Sequence, residues 1–556
     1  MSCEIPDKQR AVLLEGPDEL KFVIDKDVPD VGPFQILCKV EAVGLCFSDL
    51  KLLKQFDNHA RKSEIRAGID EDALKSIPSY VPGSEPTVPG HELVVRICKK
   101  GDEVKTVELD GRYLVQTDYR WLKTAQSNAA LGYNFEGGLQ EYVLMDERVI
   151  TSPEGQSMLI PASPEKSASA IALVEPWACV EDAYAVHERT GIKEGGKMLV
   201  VADEAIDCSV LKSLFARFGK PAKIDWVGPE CEFDSIGVEI EALAGMDHAG
   251  VEAYDDVIYY GSSPETAEGL FEKVAAAGLL NIVQCGGRFG RKITLPVGRT
   301  HYGGIRIIGT TGDDPAESMT VIPEIGEIRK GDKINVVGAG GPMGVMHVIR
   351  NICQGVPEVE VYASDLDRSR LESLEKLAGP MAEDNGVGYA HFCPDDELAR
   401  TEFDYTSIMA PVPALVEAAV KNSAQNGIIN IFAGIPATVM GQIDLDVYIA
   451  KGLYFIGTSG STIDDMKTVL SKVESGSLDT DVSVAAIAGL EAAIEGIRAV
   501  ENRSIAGKIL VYPQCKGLEM IKLKDLATKL PRVAEALENG VWTRQAEKAL
   551  IEEMGS

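Results

Sequence analysis

The chain has 556 residues, 45% hydrophobic and 25% charged, an ordinary globular composition that excludes a disordered chain, a collagen-like repeat and a small disulfide-stapled scaffold. Its formal charge of −31 sets up a field that repels phosphate backbones and anionic lipid, so no nucleic acid and no membrane surface is expected as a partner. The N-terminus, MSCEIPDKQRAVLLEG, lacks an apolar signal core, and no run of about 18 apolar residues reads as a membrane span. Eleven cysteines stand singly without a CxxC pair. That predicts neither a disulfide framework nor a four-cysteine zinc cage, and it favours a reducing, cytoplasmic setting.

Residues 9 to about 150 read as short β-rich segments cut by Pro and Gly, among them AVLLEG, ILCKVEAVG, ELVVRICKKG and GLQEYVLMD. They predict a compact β domain. From residue 190, short apolar runs alternate with helical stretches, the βαβ pattern of a parallel sheet. That region repeats itself in three collinear stretches. GGKMLVVADE (195–204) matches GDKINVVGAG (331–340), and YDDVIYYGSSPETAEGLFEKVAAAGLLNIVQCGG (254–287) matches FDYTSIMAPVPALVEAAVKNSAQNGIINIFAGI (403–435). YGGIRIIGTTGDDPAESM (302–319) matches AKGLYFIGTSGSTIDDM (450–466). Two successive nucleotide-fold domains are predicted, over roughly 190–325 and 326–470. In the tail, Leu526, Leu530, Val533 and Leu537 lie at spacings that place them on one face of a docking helix.

The second repeat carries VVGAGGPMG, in which a strand runs into Gly338, Gly340, Gly341, Pro342, Met343 and Gly344 and then into a helix. Glycines there let backbone N–H groups approach a pyrophosphate, and the helix N-terminus adds positive partial charge. The next strand ends at Asp365, 21 residues after Gly344, placed to accept hydrogen bonds from a ribose diol and to repel a 2′-phosphate. NAD is therefore favoured over NADP, with Arg368 and Arg370 close behind the acid. The turn has one residue more than GxGxxG. The matching turn of the first repeat, VVADEAIDCSV, has no glycine and places Asp203, Glu204 and Asp207 where phosphates would sit. One cofactor per chain follows, and the first repeat reads as a spacer or oligomer contact.

Three pieces carry groups that bind zinc: GLCFSDL (44–50), PGHEL (89–93) and VEPWACVEDAY (174–184). They hold Cys46, His91 with Glu92, and Glu175. A catalytic zinc takes three such ligands and keeps one position open. In this order and with these flanks the chain resembles the zinc-dependent medium-chain dehydrogenase/reductase family, of the alcohol and polyol dehydrogenase type. The family's Gly-x-Cys-x-Ser/Thr-Asp motif corresponds to Gly44-Leu45-Cys46-Phe47-Ser48-Asp49, and its Gly-His-Glu motif to Gly90-His91-Glu92. The polyol branch's Glu-Pro motif corresponds to Glu175-Pro176, and the Gly-Gly-x-x-Glu-Tyr strand to Gly137 through Tyr142. The neighbourhoods of GHE, EPW and GPMG look most like L-sorbose-1-phosphate-reductase-type members.

The resemblance implies an α/β chain. A GroES-like β catalytic domain over 1–189, completed by 470–513, would be followed by two tandem Rossmann-like doubly wound domains. The first, 190–325, is degenerate; the second, 326–470, binds NAD, and a helical extension occupies 514–556. It also implies that Cys46 and His91 are zinc ligands, that Glu175 or Glu92 supplies a carboxylate, that Ser48 hydrogen-bonds the substrate oxygen and passes its proton outward, and that Asp49 orients a ligand. Lys51 stands where the family often has a histidine and would relay protons in its place. One catalytic zinc and no structural zinc are expected, because no cysteine lies between Cys98 and Cys179. Phe47, where glycine is frequent, is expected to narrow the substrate chamber. The stretch 52–88 reads as an inserted lid or oligomer loop.

The implied reaction is reversible oxidation of a secondary alcohol of a polyol or sugar to the ketone, in the cleft between the ligand-bearing and glycine-bearing domains. Lys51, Lys54, Arg61, Lys62, Arg66, Arg120 and Lys123 are candidates to gather a sugar phosphate. A homo-oligomer, dimer or tetramer, is expected. The alternative is a duplicated, non-catalytic sensor or assembly scaffold that binds NAD and zinc.

Overall fold

The computed structural model describes residues 5–230, 237–458 and 460–555. The chain divides into two compact units, one made of Met1–Cys179 with Ser461–Ser556 and the other of Val180–Gly460. No helix among the described residues is long and apolar enough to cross a membrane.

The first unit is built on an eight-stranded sheet. Its strands run in the order Ile521–Lys522, Val484–Ala488, Lys508–Val511, Gln35–Gly44, Glu92–Lys100, Arg112–Val115 and Leu159–Pro161, and Tyr142–Asp146 also pairs with Gln35–Gly44. The central strands are rich in Val, Ile and Leu, which suit a pleated surface that must be buried; Val40, Val43, Leu93, Val95 and Ile97 are fully enclosed. Register decides where chemistry can gather. Gly44 lies opposite both Glu92 and Leu510 in antiparallel pairs, so one end of Gln35–Gly44 meets the first residue of Glu92–Lys100 and Leu510 of Lys508–Val511, and Leu45 just beyond it donates to the Ile509 carbonyl. Three segments far apart in the chain converge at that end.

Residues 52–88 fold onto this unit rather than standing off as a lid. Leu74 and Ile77 enter the core, Tyr80 bridges Phe135, and the fully buried Lys62 donates to the carbonyls of Val81 and Glu85. The tail departs from its expected single helix. Two short helices, Leu526–Lys529 and Pro531–Ala534, meet at Leu530, whose φ −136° and ψ 73° are not helical. Pro531 is the cause, because the residue before proline is pushed out of the helical region. Leu526, Leu530 and Val533 are nonetheless buried, and the helix Arg544–Met554 adds to the docking: its buried Glu547 accepts from the backbone N–H groups of Ala168 and Ser169 and from Tyr512 Oη.

The second unit holds two six-stranded parallel sheets of identical order. One runs Glu239–Ala242, Lys223–Val227, Lys197–Ala202, Tyr254–Tyr260, Val274–Val283, Arg306–Thr310; the other runs Gly388–Phe392, Glu360–Ser364, Lys333–Val337, Phe403–Ile408, Ser423–Asn430, Tyr454–Ile456. Both start in the middle and wind outward in two directions, as a doubly wound sheet does. The repeated sequences thus fold into repeated sheets. They share one hydrophobic core, in which Ile293, Val297 and Ile307 cluster with Ile431, Ile435 and Phe455. Cys208 is disulfide-bonded, which the scattered cysteines did not suggest.

Candidate active site

Cys46 caps the helix Phe47–Gln55, immediately after the strand Gln35–Gly44. Asp49, in the first turn and 1% exposed, accepts from the Cys46 backbone N–H at 3.2 Å, and its other oxygen lies 2.9 Å from His91 Nδ1. A carboxylate only accepts, so it fixes the proton on Nδ1 and aims Nε2 the other way. On that side Ser48 Oγ donates to Cys46 Sγ at 3.0 Å and lies 3.0 Å from His91 Nε2. Burial works against a charged His91 ring, but Asp49, with Tyr133 and Cys46, outweighs it and holds the imidazole well above its usual pKa.

Glu92 opens the neighbouring strand and is fully buried. Its Oε1 accepts from Lys508 Nζ at 2.5 Å, and Lys508 also donates to the Leu45 carbonyl at 3.1 Å. Glu92 Oε2 has no hydrogen-bond partner. One ligand atom each from Cys46, His91 and Glu92 lies within 4.8 Å of the others, the group of that kind among the described residues. A thiol, an imidazole and an orphaned buried carboxylate oxygen at this spacing fit a zinc ion. Glu175 lies outside that group. Burial raises its pKa to about 7, opposed by the charges of His91 and Lys508 and reinforced by Glu92. Lys51 is exposed on the next turn of the Cys46 helix.

The glycine turn of the second repeat is also assembled. Gly338 follows the strand Lys333–Val337 with φ +85°, and Gly341 caps the helix Pro342–Cys353, whose first turn holds Pro342 and Met343. A Cβ on Gly344 would lie 2.3 Å from the Gly338 carbonyl oxygen, so only glycine lets the helix start so close to the turn. Asp365 sits just beyond the strand Glu360–Ser364, and its Oδ2 accepts from the Gly340 N–H at 2.9 Å. The turn, the helix start and the acid occupy one edge of the sheet, a donor set and cradle that fit a dinucleotide.

Residues 32–154 match the alcohol dehydrogenase GroES-like domain. Over about 250 residues the chain is similar to a mannitol-1-phosphate 5-dehydrogenase of Aliivibrio fischeri, at 26% identity over 40% of this chain and 57% of that one. A similar match, at 24% identity over 39% of this chain and 54% of the relative, is to an L-sorbose 1-phosphate reductase of Klebsiella pneumoniae. Over part of its length the chain is thus related to alcohol and polyol dehydrogenases. It spans little more than half the length of the curated relatives it matches. The fold is that of the solved 2R,3R-butanediol dehydrogenase of Bacillus subtilis, with TM-score 0.51 and 16% identity over 91% of this chain and 99% of that one.

The motifs placed Cys46, Ser48, Asp49, His91 and Glu92 together but missed two residues. Lys508, the buried partner of Glu92, lies in the late return strand, where only its position at a strand start could have marked it. Tyr133 packs its ring 5.9 Å from that of His91 and 5.0 Å from that of His59. Burial, helped by the charges of Arg61 and Lys51, lowers the His59 pKa to about 4. The candidate phosphate-gathering cations are largely dispersed. Lys54 pairs with Glu501, Lys62 is turned onto carbonyls, and Arg61 and Arg120 share Asp118. Phe47, expected to narrow a chamber, is 52% exposed.

Proposed function

We propose that this protein is a zinc-dependent oxidoreductase that interconverts a secondary alcohol of a polyol or sugar, free or phosphorylated, with the ketone, using NAD(H). The reading is carried by the convergence of Cys46, His91 and Glu92, with the Ser48 hydroxyl against the first two. In it, residues 1–189 with 470–513 hold one zinc, through Cys46, His91 and the carboxylate of Glu92 or Glu175. Residues 326–470 hold NAD on Gly338, Gly340, Gly341, Pro342, Met343 and Gly344, with Asp365 disfavouring NADP. When bound, zinc supplies Lewis acidity that makes the alcohol a stronger acid, and the nicotinamide takes up the hydride.

The chain's own groups do the remainder. Ser48 Oγ takes the substrate's hydroxyl proton as it gives up its own, and Lys51, three residues on and therefore on the same helix face, takes up that proton as a free amine and releases it to solvent. Asp49 keeps His91 oriented, and Lys508 holds Glu92 in place through its hydrogen bond. Among the candidate cations Lys51 is exposed on the Cys46 helix, and Arg61 would have to leave Asp118 to bind a substrate phosphate. The names of the two relatives, which specify phosphorylated polyol and sugar substrates, support that extension. A cytoplasmic setting and self-association complete the reading.

The test is metal analysis of the purified protein followed by NADH formation with a polyol panel and the corresponding phosphates. One zinc per chain and turnover on at least one polyol or its phosphate are expected. Bound zinc and NAD with no turnover on any alcohol would overturn the enzymatic reading in favour of a sensor.

A further inference from the structure

The first repeat keeps a complete sheet but not its cofactor turn. The residue after the strand Lys197–Ala202 is Asp203, whose carboxylate accepts from Tyr259 Oη at 2.7 Å, so the chain's own acid stands where a phosphate would. What the repeat has retained is its face toward the second repeat.

That face is built from equivalent parts on both sides, and the contacts are mutual. The short strand Ile293–Leu295 pairs antiparallel with its counterpart Gly441–Ile443, with Thr294 opposite Gln442. The helix Gly298–Tyr302 of the first repeat touches the strand Tyr454–Ile456 of the second, and the equivalent helix Leu445–Ala450 touches Arg306–Thr310 of the first. The two strands, each the edge of its own sheet, also meet. Across the junction Tyr448 Oη donates to the Ile307 carbonyl at 2.8 Å. Arg306 from one side and Tyr454 from the other both bind the Glu188 carboxylate, at 2.7 Å. The approach is close: a Cβ on Gly298 would lie 2.2 Å from the Pro436 carbonyl oxygen. Part i touching j′ while j touches i′ is the signature of an isologous two-fold interface, here made within one chain.

We propose that the degenerate first repeat is a tethered partner for the second. It seals the edge strand Tyr454–Ile456 and the apolar face beside it, so this surface is used up inside the chain and not between two copies. An open sheet edge with an apolar flank invites pairing with another chain; a sister fold on the same polypeptide occupies it permanently. The first repeat could then lose its glycine turn without losing its purpose. Any homo-oligomer of this protein must use a different surface.

The register supplies the test. Opposed residues of an antiparallel pair have Cα atoms about 4.5–5.5 Å apart, within the span a disulfide bridges. The full chain carrying Thr294→Cys and Gln442→Cys is oxidised and run without reductant, beside each single variant and an oxidised mixture of the two singles. The expected result is a bond inside the double variant at the mass of one chain, 59.8 kDa, with no joined product from the mixture. A covalent species of twice that mass that requires both cysteines, or that forms in the mixture, overturns the proposal, as does failure of the double variant to form any bond between the two positions. Neither readout involves metal, nicotinamide or turnover, so the result stands apart from the fate of the proposed activity.

Discussion

Replacing Lys508 by Met removes the cation from a pair in which Lys508 is 6% and Glu92 0% exposed. A buried carboxylate left without its partner costs about 3–5 kcal/mol. For a unit of this size roughly 2–4 °C is lost per kcal/mol, so the melting midpoint of the first unit should fall by about 6–20 °C. Glu92→Gln leaves Lys508 with the Leu45 carbonyl and should cost a similar amount. The double variant carries neither charge, so its loss should be smaller than the sum of the two by about 2 kcal/mol or more. Thermal unfolding of all four proteins in a chelator, which keeps metal out of the comparison, gives the cycle. Single variants that melt within about 2 °C of the parent, a smaller effect than any buried pair should give, would refute the reasoning. Additivity to within about 0.5 kcal/mol would do the same.

Asp365→Ala should weaken NADH binding by roughly ten- to a hundredfold, the worth of a charge-assisted hydrogen bond, and should relax discrimination against NADPH; fluorescence titration with both cofactors reads it, and an unchanged preference would remove Asp365 from the ribose site. Glu204→Ala, in the glycine-free turn of the first repeat, should leave NADH affinity within about twofold of the parent, well under the roughly tenfold cost of one lost hydrogen bond. Lys62, pushed down to about 8 by burial, binds its proton less tightly in the folded than in the unfolded chain, whose pKa is the ordinary 10.5. Stability should therefore rise as pH climbs from about 8 toward 10.5, by up to roughly 3 kcal/mol. Lys62→Met should lack that component, and parallel pH profiles of parent and variant would show the ammonium is not desolvated.

The strand starts and the Cys46, His91 and Glu92 set were legible because motif residues fall where strands end, and a strand end is a fixed place in a sheet. The repeats were legible because two copies of one pattern in one chain fold alike. Lys508 was not, because a lysine reads as surface and its partner is 416 residues away. The break at Leu530 was hidden by a leucine spacing that fits a helix, although Pro531 is the residue that forbids one. The mutual docking of the repeats left little trace, since it depends on backbone approach at Gly298 and on which faces remain apolar once each sheet is covered. The placement of 52–88 turns on Lys62, whose charge suggested solvent while its ammonium satisfies two buried carbonyls.

A metal held by the first unit is what the proposed chemistry most needs. X-ray absorption at the zinc edge of the purified protein measures this directly. It should show one zinc per chain with a single sulfur neighbour at about 2.3 Å and nitrogen or oxygen for the rest, and Cys46→Ala should lose both the sulfur signal and NADH formation. Zinc without a sulfur neighbour, zinc with several, or a Cys46→Ala protein that still turns over would contradict it.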